Sequence, residues 1–68
     1  MSKLKETRIK NKLTHQTMAD TLKISKAFYW QIENNKRRLS YDMAIKIADI
    51  FKMMPDELFY EEYKKESQ

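Results

Sequence analysis

The stretch "LTHQTMADTLKISKAFYWQIENNKRR", residues 13–38, decides the fold. Thr14 stands where a helix cap belongs, ahead of Met18, Ala19 and Leu22 at helical spacing, which predicts a short helix ending near Lys23. Ser25 is the next cap, opening a helix from Lys26 to about Asn34, with Asn35 suited to a left-handed closing residue. Within that helix "FYW", residues 28–30, fans over about 200° of the circumference, so the three rings cannot share one buried face. Tyr29 falls on the inner side with Ile32, Phe28 at the edge, and Trp30 on the outer side with Lys26 and Asn34.

Working outward, Leu4, Arg8 and Ile9 suggest a first helix over roughly residues 2–11. Ser40 caps a fourth, in which Ala44, Ile47, Ala48 and Phe51 form an apolar stripe and Asp42 suits the positive end of the dipole. Pro55 opens a fifth at its first turn, followed by Asp56 and Glu57, with Leu58 and Phe59 facing inward. The chain has 68 residues, no glycine and one proline, and no Asn-Gly or Asp-Gly pair for a hairpin. The expectation is an all-α, compact five-helix bundle, one domain over residues 1–63 with a frayed tail over 64–68.

Composition excludes several function classes. There is no cysteine, hence no disulfide or thiolate metal site, and the single histidine, His15, has no ligand cluster around it. No metal, cofactor or small-molecule ligand is expected. The adjacent carboxylates Asp56/Glu57 and Glu61/Glu62 read as solubility and dipole features, not a catalytic pair, and no enzyme activity is expected. No apolar run is long enough for a membrane span or a signal peptide, so a cytoplasmic protein is expected. Residues 1–40 hold ten Lys or Arg against three acids, while residues 41–68 hold four against seven. A basic half joined to an acidic half points to a polyanion on one face.

Two short helices around a tight turn, the second with a polar outer face, describe a helix-turn-helix unit. Ala19 is small enough for the second helix to cross the first. At this level the chain resembles the phage repressor/Cro-like (XRE-type) helix-turn-helix regulators. The resemblance rests on Leu13-Thr14, Ala19, Ile24-Ser25, Ile32-Glu33-Asn34 and Asp56-Glu57-Leu58-Phe59, and it spans residues 4–59. It implies a lambda-repressor-like bundle, double-stranded DNA as partner, and the third helix in the major groove. The family usually has glycine at four turns where this chain has Lys12, Lys23, Asn35 and Lys52. Either those turns are reshaped, or the domain absorbs about 1 kcal/mol at each left-handed lysine.

The resemblance places Lys26, Ala27 and Gln31 at base-reading positions, with Trp30 beside them. Lys26 suits guanine, Gln31 suits adenine, and Ala27 suits a thymine methyl. Thr14, His15, Gln16, Ser25, Phe28, Asn34, Lys36, Arg37 and Arg38 fall where phosphate-positioning contacts are expected. For His15, an ordinary surface histidine is an equal reading. Arg8 and Glu33 occupy positions where the family often carries an ion pair. A homodimer on a palindromic operator is the expected binding form. Phe51, Phe59, Tyr60 and Tyr63 exceed what a small core can use, and they are the candidate dimer surface. The competing class is an interaction module, an antirepressor or adaptor, that keeps the fold without binding DNA; RNA binding is a weaker third reading.

Overall fold

The structure, a computed structural model, describes residues 2–66, with the side chains of residues 62, 63, 65 and 66 outside that description. Five helices follow one another: α1 (Lys3–Lys10), α2 (His15–Leu22), α3 (Lys26–Glu33), α4 (Tyr41–Ile50) and α5 (Pro55–Glu66). The expected tail at residues 64–68 is helical as far as Glu66, and its last two residues lie outside the described ones.

Each of the first four helices begins the same way. The side-chain oxygen of Ser2, Thr14, Ser25 or Ser40 accepts a hydrogen bond from the backbone N–H three residues on, at Lys5, Thr17, Phe28 and Met43. Each cap satisfies a donor the helix cannot, a contribution of about 1 kcal/mol. α5 starts differently: Pro55 occupies its first position, and Glu57 reaches back to accept from the Met54 N–H at 2.9 Å.

The first four helices also end alike. Lys12, Lys23, Asn35 and Lys52 have φ of 58°, 58°, 57° and 55°. After each, the next N–H reaches back five residues: Leu13 to Arg8, Ile24 to Ala19, Lys36 to Gln31, and Met53 to Ala48. This is the Schellman closure, which satisfies terminal carbonyls and turns the chain sharply. The turns are therefore not reshaped; three lysines sit in the left-handed region where glycine carries no Cβ penalty.

The core gathers Leu4, Met18, Ala19, Tyr29, Ile32, Ala44, Ile47, Ala48, Leu58 and Phe59. Three alanines, Ala19, Ala44 and Ala48, are fully buried, which lets short helices approach closely around the larger Met18, Tyr29 and Ile47. α2 packs against α3, and α5 closes the bundle against both α1 and α4. Phe59 is only 2 % exposed, so its ring belongs to the core and cannot form a dimer surface. The adjacent pair Leu58-Phe59 is buried because α5 meets neighbours on two sides.

Lys23→Gly should raise stability by up to about 1 kcal/mol, which for a domain of this size is a rise in Tm of about 4–8 °C. Thermal unfolding followed by circular dichroism checks it, and an unchanged or lower Tm would contradict the strain.

Candidate nucleic-acid interface

α3 is divided by depth. Tyr29, Ile32 and Glu33 are buried, Phe28 and Gln31 are half-buried, and Lys26, Ala27, Trp30 and Asn34 are exposed. Trp30 keeps 45 % of its surface open to solvent. One eight-residue helix thus locks one side into the bundle and offers the other as a continuous outer face.

The lock centres on a buried ion pair. Arg8 donates from Nε to Glu33 Oε2 at 2.8 Å and from a terminal nitrogen to Glu33 Oε1 at 2.9 Å. Its other terminal nitrogen donates to the Leu13 carbonyl at 2.8 Å, just before α2. The Glu33 carboxylate is fully buried. Burial alone would push its pKa up, but the Arg8 guanidinium, helped by the nearby Tyr29 hydroxyl and His15, holds it below the ordinary value of 4.5. Glu33 in turn holds the Arg8 pKa above its usual value.

His15 joins this cluster. Its Nε2 lies 3.4 Å from Glu33 Oε1, and its ring stands 5.9 Å from the Tyr29 ring. The His15 side chain, with a phosphate contact and an ordinary surface histidine as equal readings, thus packs beside Glu33 and Tyr29 while 31 % of it stays exposed. Tyr29 is fully buried, and its hydroxyl lies beside the Arg8–Glu33 pair without reaching good hydrogen-bond geometry with either. Burial and the adjacent Glu33 charge raise its pKa.

Several expected phosphate groups hold the fold in the free protein. Thr14 and Ser25 use their hydroxyls as caps, and Thr14 also bonds the Thr17 hydroxyl at 2.9 Å. Gln16 donates to Asp20 at 2.8 Å, and Asn34 donates to the Trp30 carbonyl at 2.9 Å. Lys36, Arg37 and Arg38 are exposed in the loop after α3. Although exposed, the Arg37 side chain folds back onto α3. Its guanidinium lies over the Phe28 ring, 4.4 Å from the centroid, and its Nε donates to Gln31 Oε1 at 3.1 Å. No spacing rule in the sequence announces this contact, since it crosses the left-handed turn at Asn35.

Among the expected dimer residues besides Phe59, Phe51 is half-buried, Tyr60 is 58 % exposed, and the side chain of Tyr63 lies outside the described residues. Met54, just before α5, is a large apolar residue left 65 % exposed. Among the described residues no group of His, Asp and Glu is arranged to hold a metal ion. No helix among them is long and apolar enough to cross a membrane.

The arrangement of α2 and α3 is that of a helix-turn-helix. A family model of the helix-turn-helix domain matches residues 2–64. The chain belongs to that family, in its XRE/Cro-like branch. Membership points to DNA as partner and to a regulator as the class of protein. No curated protein and no solved structure matches the chain.

Arg8→Met should destabilise the domain by about 3–5 kcal/mol, because it leaves the Glu33 charge buried and unpaired. Urea unfolding measures this; normal stability would mean the pair contributes nothing. The lowered Glu33 pKa also sets a pH dependence. A carboxylate whose folded pKa lies below its unfolded one stabilises fully above the unfolded value, and that stability is lost as pH falls through the folded value. Tm should therefore fall as pH drops below about 4.5, with a shallower fall in Glu33→Gln, as thermal melts between pH 7 and pH 2.5 would show.

Proposed function

We propose that the protein is a sequence-specific double-stranded DNA-binding regulator of the repressor/Cro type that places α3 in the major groove. The observation that carries this reading is the division of α3: a locked inner side and an outer face holding Lys26, Ala27 and Trp30, with half-buried Gln31 at its edge, flanked by Lys36, Arg37 and Arg38. A groove reader needs that combination of rigid placement and free polar edges. The first-turn N–H groups of α2 and α3, with Lys36 and Arg38 of the basic loop, are the phosphate contacts in this reading, and the +7 balance of residues 1–40 supplies the attraction.

The binding form is a two-fold dimer on a palindrome, since one small module buries little surface on DNA. Tyr60 and Met54, with Phe51 beside the core, support a dimer surface in the C-terminal half. The competing reading, a protein-interaction module, draws on the same exposed aromatics, Trp30, Tyr41 and Tyr60. It gives no purpose to the segregated charge.

Selection from a random duplex pool, followed by titration at several salt concentrations, separates the two. A palindromic consensus, affinity that falls steeply with salt, and altered Trp30 fluorescence on binding are expected. A chain that enriches no duplex and binds only a protein partner, insensitively to salt, would refute DNA regulation.

A further inference from the structure

Arg37 combines three features that a plain phosphate contact does not need. It comes from the loop after α3, yet its side chain folds back onto the helix. Its guanidinium carbon lies over the Phe28 ring, 4.4 Å from the centroid, which anchors the group against the ring face. Its Nε is bonded to Gln31 Oε1 at 3.1 Å, which restricts its rotation. Phe28 and Gln31 lie three residues apart on α3, so they present neighbouring supports on the side of the helix nearer the loop.

An arginine held through Nε has its two terminal amino groups left as donors. With Nε occupied, the pair of terminal nitrogens is the edge left to recognise a partner. In the major groove, guanine offers the matching acceptors, O6 and N7. A phosphate would accept the charge of any mobile cation at this position, with no need for such anchoring. Gln31 also changes its part: its carbonyl oxygen is engaged by Arg37, so the adenine contact suggested by its residue type is not the arrangement the free protein displays.

Resting on the proposed DNA-binding reading, the geometry points to Phe28, Gln31 and Arg37 as one composite base reader. The Arg37 fork takes guanine O6 and N7, and Gln31 and Phe28 are positioning residues that hold the guanidinium for it. Arg37 is thereby a specificity-determining residue, and the unit is formed before DNA arrives, so little side-chain freedom is lost on binding.

The test compares duplexes selected by the full chain with those selected by Arg37→Lys and Gln31→Met, each first checked for unchanged helical content. Arg37→Lys keeps the charge and loses the planar fork. The wild-type chain should select a guanine in each half-site. Both variants should lose about 5- to 150-fold of the discrimination at that same guanine, while Arg37→Lys leaves the salt dependence of binding unchanged. If Arg37→Lys keeps the guanine preference, Arg37 is only a charge near the backbone and the composite reader is wrong. If Gln31→Met alters a different operator position, Gln31 reads its own base and the unit is likewise refuted. If the wild-type chain selects no duplex at all, the DNA-binding reading fails first and takes this inference with it.

Discussion

One buried guanidinium ties together the parts of this chain that must stay in register. Arg8, near the end of α1, bonds the Glu33 carboxylate through two nitrogens and the Leu13 carbonyl through a third. Those partners lie at the end of α3 and just ahead of α2. The angle between the two helices of the motif is thus referenced to α1 through a group whose planar geometry tolerates little change. A buried ion pair is often no more stable than an apolar replacement, but an unpaired half of it is strongly unfavourable. Such a pair gives direction: arrangements of the helices that separate Arg8 from Glu33 leave a charge stranded.

The turns show a second constraint, borne without glycine. Four helix ends adopt the same closure, and three of them put lysine in a conformation that disfavours a Cβ. At about 1 kcal/mol each, the cost is large beside a stability on the order of 3–10 kcal/mol for a chain this short. Opposing it are four side-chain caps of similar individual size and a core closed tightly by buried alanines. Local signals and global packing agree at almost every helix boundary, which is how a small core specifies one structure.

That agreement explains what could be read from the chain in advance. Ser2 aside, the caps Thr14, Ser25 and Ser40 announce their helices because short hydroxyl side chains have a specific local use, and Pro55 marks the last start for an equally local reason. The left-handed turns at Lys12, Lys23 and Lys52 were visible only through resemblance, because nothing about lysine itself asks for positive φ. The sequence places Phe59 both on an inward face and in a surplus of aromatics, and burial between α5 and its neighbours decides for the core. The inward turn of His15 and the return of Arg37 onto α3 depend on which long side chains meet across elements, and helical periodicity carries no information about that.

The depth profile of α3 connects these constraints to function. An isolated helix of eight residues is not stable in water, because nucleation is unfavourable and too few hydrogen bonds follow it. α3 owes its order to its inner side: Tyr29 and Ile32 in the core, Glu33 on Arg8, and the Ser25 cap at its start. The outer residues have fixed positions only because the inner ones are fixed. Phe28 and Gln31 lie between the two layers and extend that order to Arg37, a residue outside the helix. In this way the ion pair at Glu33 and the arginine over the Phe28 ring belong to one chain of restraint, running from buried charge to exposed surface.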